Sequence, residues 1–144
     1  MLTEQRVVLK AETTIDLPVE KVWEFWTNAE HIAKWNNVSE EWVTRWAEND
    51  ATKGGKFFFR METRDGSQGF DYRGEYMNVI QYKVIESVLD DGRKDKVEFL
   101  SDGNNTRLLQ IFEANDTDPA DMQQIFCQSV IENFKRYAES IGQL

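Results

Sequence analysis

From Gly54 to Tyr76, ring-bearing and charged positions alternate, and the alternation predicts a hairpin with one aromatic and one charged face. With Asp65–Gln68 as the loop, Arg64 sits opposite Gly69. Phe57, Phe59, Met61 and Thr63 then face Tyr76, Gly74, Tyr72 and Phe70, all on one side, because directly opposed strand positions point the same way. Lys56, Arg60 and Glu62 share the other side with Glu75, Arg73 and Asp71, and opposite charges meet on the diagonals Arg60–Asp71 and Glu62–Arg73. Gly74 opposite Phe59 leaves room for a ring to lie flat or for a ligand to approach.

The rest of the chain reads as strand, two short helices, more strands and a long helix. Roughly Arg6–Asp16 alternates loosely and is rich in β-branched residues, as a strand would be. Pro18 suits a first helical turn, and Val19, Val22, Trp23 and Trp26 follow at helical spacing to about Thr27. Thr27 and Glu30 have capping-box spacing before a second helix, Ala29–Trp35, with Ile32 and Trp35 on its buried side. From about Trp42 to Glu113 the pattern is β throughout.

Asp91-Gly92 signals a two-residue hairpin. Setting Asp90 against Arg93 puts Val84 opposite Phe99 and Glu86 opposite Val97; a turn at Gly103-Asn104 puts Phe99 opposite Leu108 and Val97 opposite Gln110. Tyr82, Val84, Val88, Val97, Phe99, Leu108 and Phe112 then form an apolar face interrupted by Glu86 and Gln110. A slip of one residue would turn those polar groups outward. Asp118 as N-cap and Pro119 at the first position start the last helix, with Asp121 near the positive end of its dipole. Its expected apolar stripe is Met122, Ile125, Phe126, Val130, Phe134, Tyr137 and Ile141, with Gln123, Gln128, Glu132, Lys135, Arg136 and Glu139 on the wet sides. Such a helix buries its stripe on the aromatic sheet face, which makes an α+β arrangement of helix on curved sheet.

Composition narrows the partners. A chain of 144 residues that is 40% hydrophobic suits one compact domain, residues 1–144. A net charge of -9 without a local Lys/Arg cluster disfavours nucleic acid. The charged N-terminus and the lack of a membrane-length apolar run imply neither signal peptide nor membrane insertion, and the single Cys127 fits a reducing compartment, so the expected location is cytoplasmic.

The strings VEKVWEFWTNAEHIAKWN, GGKFFFRMETRDGSQGFDYRGEY, DDGRKDKVEF and VIENFKRYAES together resemble the bacterial START-like (polyketide cyclase-like, SRPBCC) domains, most of all the group named after the activator of the heat-shock-protein-90 ATPase. The resemblance covers about residues 11–140. It implies a helix-grip fold, with a strongly bent antiparallel sheet wrapped around the C-terminal helix and a cavity between them. It also implies that many members bind hydrophobic small molecules and that a minority are cyclases or other enzymes. Two departures stand out. Phe126-Cys127 replaces a usual Gly-Trp pair, moving the ring about 100° around the helix, and Gln81 stands where relatives often have Pro.

Few residues offer chemistry. His31, the only histidine, has no metal-ligand spacing around it and reads as a surface or capping residue; one Cys and one His do not make a zinc site. Gly54-Gly55 lacks the following helix and lysine of a phosphate loop. Asp71, Arg73, Glu75 and Glu62 read as a solvated, mutually paired face. On an apolar face Glu86 would gain a raised pKa and could act as a hydrogen-bond donor or general acid/base, unless it reaches the rim or pairs with a lysine.

The expected ligand-binding set is Trp35 from the second short helix, Phe57, Phe59, Met61, Phe70, Tyr72 and Tyr76 from the first hairpin, Val84, Glu86, Val97, Phe99, Leu108 and Gln110 from the later strands, and Phe126, Val130 and Phe134 from the last helix. The hydroxyls of Tyr72, Tyr76 and Tyr82, with Gln110, could orient a ligand's polar end. Non-catalytic binding of a small hydrophobic molecule, aromatic or acyl, is the leading expectation, with no cofactor and no metal. A cyclase or dehydratase using Glu86, or a co-chaperone-like domain with a protein partner, are the alternatives.

Overall fold

The N-terminal strand and the second strand of the chain stand at opposite edges of one sheet, and two helices carry the chain between them. In the computed structural model, which describes residues 6–37 and 39–142, the elements are β1 (Val8–Ile15), α1 (Val19–Thr27), α2 (Ala29–Trp35), β2 (Trp42–Asn49), β3 (Lys56–Thr63), β4 (Gly69–Ile80), β5 (Val84–Leu89), β6 (Lys94–Asp102), β7 (Asn105–Glu113) and α3 (Ala120–Gly142). The seven strands lie in the order β1-β7-β6-β5-β4-β3-β2, each pair antiparallel. Register shifts at Thr44/Trp46 in β2 and Tyr76/Asn78 in β4 bend the sheet.

The helix starts use chemistry slightly displaced from expectation. Pro18 precedes α1 as its cap, its carbonyl accepting the N–H groups of Lys21 and Val22. Asn28, not Thr27, caps α2: its side chain accepts the Glu30 N–H at 2.9 Å, while the Thr27 hydroxyl donates back to the Trp23 carbonyl at 2.7 Å. Ile32 and Trp35 are buried as expected. Trp35 stacks on Trp26, ring centroids 4.7 Å apart, and Phe134 of α3 packs edge-on against both. Phe134 with Ile15, Val22, Ile32, Leu108 and Ile131 forms the driest part of the core, and the half-buried Trp26 packs against it.

Two hairpins differ in register from the sequence reading, with opposite consequences. Thr63 N–H donates to the Gln68 carbonyl, so the first loop is Arg64–Ser67, closed by the Asp65 carboxylate accepting from Ser67 N–H and by Gly66 at φ +75°. Phe57 therefore faces Gly74, Phe59 faces Tyr72, Met61 faces Phe70, and Arg60 faces Asp71 directly. A slip of two residues leaves every side chain on its predicted face. The outer charges pair as Arg60–Asp71, Arg60–Glu62 and Arg45–Glu62, while Arg73 turns to Asp90 and lies over the Phe58 ring instead of meeting Glu62.

The second hairpin slips by one. Gly92 N–H bonds the Leu89 carbonyl, Leu89 N–H bonds the Arg93 carbonyl, and Gly92 sits at φ +90°. This is a three-residue loop ending in a left-handed glycine, not a two-residue turn. Val84 now pairs with Glu98 and Glu86 with Lys96, so Ile85, Ser87 and Leu89 face inward, while Val84, Glu86 and Val88 turn outward. Between β6 and β7 the expected pairs Phe99–Leu108 and Val97–Gln110 do form.

Helix α3 is rotated from its predicted stripe in the N-terminal half. Gln123 is buried, because its side chain binds the backbone of Asn115 and Asp118, whereas Met122, Ile125 and Phe126 are exposed. Further along, Ile131, Phe134 and Ala138 are fully enclosed. A row of polar residues on α3 covers the free edge of β1: Gln124 bonds both backbone groups of Lys10, Gln128 both of Glu12, Lys135 the Thr14 carbonyl and Glu139 the Asp16 N–H.

Candidate ligand-binding site

Aromatic residues on alternate positions of β3 and β4, and the underside of α3, enclose a cavity of about 350 Å3. One wall is a ring cluster, with Phe57 lying 5.5 Å from Phe59 and 5.1 Å from Tyr76, and Phe59 stacked on Tyr72 at 6.0 Å. Trp26, Ile32, Trp35 and Asn36 close the helical end; Ile85, Ser87, Leu89 and Val97 supply the floor; Phe126, Cys127 and Val130 come from α3. Phe70 and Phe126 also line it and are 48% and 46% exposed, marking where it meets solvent.

Eleven of the predicted residues meet around this space: Trp35, Phe57, Phe59, Met61, Phe70, Tyr72, Tyr76, Val97, Gln110, Phe126 and Val130. Phe99, Leu108 and Phe134 lie behind it in the core. Val84 and Glu86 are outside, on a convex groove shared with Asn78, Lys96 and Glu98. The placement of Glu86 on the apolar face is thus corrected by the one-residue slip: its carboxylate accepts from Asn78 Nδ2 at 3.2 Å, away from the cavity. Tyr82 sits in the β4–β5 turn with its ring against Trp23, also outside.

The polar corner of the cavity comes from neighbouring positions on β5, β6, β7 and α3. Ser87 pairs with Asp95 across β5–β6, Gln110 lies on the adjoining strand, and Cys127 faces them from the helix. Gln110 Nε2 donates to Asp95 Oδ2 at 2.7 Å, and the Cys127 thiol donates to Gln110 Oε1 at 3.1 Å. The Asp95 carboxylate, which accepts only, takes the Nε2 end of the Gln110 amide and leaves Oε1 to Cys127. Asp95 keeps part of its surface on the cavity, but its Oδ1 is sealed from solvent and has no hydrogen-bond partner among the described residues. Burial raises its carboxyl pKa to about 6, against the smaller opposing effects of the Gln110 bond and Arg93.

The phenols and the thiol of the cavity are held neutral. Burial, and then the Asp95 charge, push the Tyr72 hydroxyl and the Cys127 thiol well up. Burial raises Tyr76 as well, partly offset by its hydrogen bond to Asn49. Asp95, Ser87 and Cys127 were absent from the sequence-based set. Asp95 had a legible signal, since it alternates with Val97 and Phe99 along β6. His31, expected at the surface or a cap, is half-buried, with Nδ1 2.5 Å from the Tyr137 hydroxyl and its ring against Phe25.

A bent antiparallel sheet closed by a long C-terminal helix over an internal cavity is the helix-grip architecture of START-like, or SRPBCC, domains. The family profile described as Activator of Hsp90 ATPase homolog 1-like protein matches residues 16–144, and the chain belongs to that family. An AHSA1-like protein from Aeromonas hydrophila, solved in solution, superposes with a TM-score of 0.89 at 34% identity over 96% of both chains. A protein from Cytophaga hutchinsonii gives 0.80 at 36% identity over 94% of both. A Staphylococcus aureus protein of unknown function shares the fold at TM-score 0.79 and 17% identity, over 97% of this chain and 98% of that one. No curated protein matches the chain. Among the described residues no helix is long and apolar enough to cross a membrane.

Proposed function

We propose that the protein binds a small hydrophobic molecule in the cavity between the concave sheet face and α3. The observation that carries this reading is a 350 Å3 space walled by Phe57, Phe59, Tyr72 and Tyr76 yet holding one compact polar corner at Asp95, Gln110 and Cys127. Ligand sites combine apolar walls with few convergent polar groups in this way, and this volume lies at the small end of their usual range of about 300–1,000 Å3. A body of about two fused rings, or a short acyl chain, is the matching size. Catalysis by Glu86 receives no support from its position on the convex side.

Titration with small aromatic and acyl compounds tests the reading. Trp26 and Trp35 line the cavity and should report occupancy by fluorescence, while amide shifts should map to Tyr72, Val97 and Val130. Shifts confined to the outer charged face would overturn it.

A further inference from the structure

We propose that the cavity selects aromatic ligands whose polar end is an N–H donor, an amine or its protonated form, and that Asp95 is the residue that receives it. The proposal rests on the cavity being a ligand site and specifies the class of ligand.

An ionised carboxylate has room for about four hydrogen bonds. Asp95 receives one, from Gln110 on Oδ2, and its sealed Oδ1 receives none among the described residues. The residue lines the cavity, so a ligand donor meets the carboxylate at the remaining lone pair of Oδ2 or after a turn of the carboxylate that brings Oδ1 round. Gln110 donates through Nε2 to Oδ2 and leaves Oδ1 without a bond. Among the described residues no cation forms an ion pair with Asp95: Arg93 places its Nε 2.8 Å from Asp91 Oδ2 and acts on Asp95 through its charge alone. Lys94 also lines the cavity, although its position on β6 alternates with that of Asp95.

The polar and ionisable groups that line the cavity's Asp95 side are Tyr72 and Tyr76 of β4, Ser87 of β5, Gln110 and Glu113 of β7, Cys127 of α3, Arg93 and Lys94 at the start of β6, and Asp118 before α3. The two phenols and the thiol stay protonated, so the negative charge of the corner is that of Asp95, offset only at a distance by Arg93. A donor on the ligand satisfies that carboxylate through a charge-assisted bond. The faces of Phe59, Tyr72 and Phe57 add the attraction that aromatic rings exert on a cation. A carboxylate-headed ligand would instead place like charges together in a dry corner and be rejected. This separates aromatic amines from the fatty and aryl acids that an apolar wall alone would accept.

Four probes on one naphthalene body decide it: the 2-aminomethyl, 2-hydroxymethyl, 2-methyl and 2-carboxylate compounds, titrated into the full chain in mildly alkaline buffer. Affinity is measured by calorimetry and location by amide shifts at Tyr72, Val97 and Val130. The amine should bind about tenfold or more tighter than the methyl compound, the scale of one hydrogen bond to a charged group. The alcohol should fall between them, and the acid should be weakest. Asp95→Asn should bring the amine down to the level of the alcohol. Equal binding of amine, alcohol and methyl compound, or tightest binding by the acid, overturns the donor selectivity and leaves the hydrophobic-cavity reading standing. Cavity shifts with none of the four overturn both. The ranking on the unmodified protein is decisive without the variant, so poor folding of Asp95→Asn would not obscure the outcome.

Discussion

Gln128 on α3 grips Glu12 on β1 with both ends of its amide: Oε1 accepts the Glu12 N–H at 3.1 Å and Nε2 donates to the Glu12 carbonyl at 2.9 Å. Gln124 does the same for Lys10. Four helical residues rise about 6 Å, close to the 6.8 Å or so spanned by two strand residues, so one helix row can serve alternate peptide groups of an edge strand. Side chains here do what a neighbouring strand would do, and they leave the edge unavailable for pairing with another chain. Gln128→Ala should lower stability by about 1 kcal/mol, and Gln124→Ala/Gln128→Ala by about twice that. Urea unfolding measures the loss, and hydrogen exchange at Lys10 and Glu12 should accelerate in the variants while the amides of β6 keep their protection.

Gly74 is required by a ring. A Cβ at this position would lie 2.5 Å from Phe57 Cζ and 2.5 Å from the Val88 carbonyl oxygen. Gly74→Ala should therefore cost about 2–3 kcal/mol through overpacking. Combining it with Phe57→Leu should recover part of that cost, a coupling of about 1 kcal/mol in a double-mutant cycle. The Val88 carbonyl belongs to the backbone and prevents full recovery. Additive losses would place the strain elsewhere.

What alternation could reveal depended on where the turns fell. Between β3 and β4 the loop moved by one position on each strand, and a slip of two kept Phe57, Phe59, Met61 and Tyr72 on the inner face. At Asp91-Gly92 the same dipeptide fits a two-residue turn or a three-residue turn with a terminal bulge, and the second exchanged Val84, Glu86 and Val88 for Ile85, Ser87 and Leu89. Asp95 and Gln123 were obscured differently. Both are polar residues in patterns that assign polarity to solvent, and tertiary partners on β7 and in the 115–118 loop keep them inside. The β6–β7 face was legible because Gly103-Asn104 admits the two-residue loop that was expected.

Glu86→Gln distinguishes an outer-face carboxylate from an acid/base. Since Glu86 bonds Asn78 on the convex side, the substitution should change stability by about 0.5 kcal/mol or less. Ligand affinity in the cavity should be unchanged. A large drop in affinity, measured with a naphthyl probe, would return Glu86 to the site.

Asp95 gives the protein a pH dependence of definite sign. Its carboxyl rises from 3.8 to about 6 on folding, so between these values the folded chain holds the proton that the unfolded chain has released. Stability from this group is fully present below about pH 4 and is lost as pH rises through 6. The difference amounts to roughly 2–3 kcal/mol at 1.36 kcal/mol per pKa unit. Asp95→Asn removes the titration. Subtracting the wild-type from the variant unfolding free energy at each pH cancels the other carboxylates, and the remainder should climb by about that amount between pH 4 and pH 7. A flat difference would mean that the Asp95 carboxyl is open to water.

Cys127 offers an independent probe of the same corner. Its thiol hydrogen-bonds Gln110 and is kept protonated first by burial and then by the Asp95 charge. Alkylation proceeds through the thiolate, so iodoacetamide should modify Cys127 at least tenfold more slowly than a free cysteine at the same pH. Asp95→Asn removes only the smaller cause and should speed the reaction modestly. A cavity ligand adds a steric barrier, so protection should rise with occupancy and follow the same binding curve as Trp fluorescence. Labelling at the rate of an unhindered thiol would show that water reaches the corner freely, and the raised Asp95 carboxyl and the donor preference built on it would fall together.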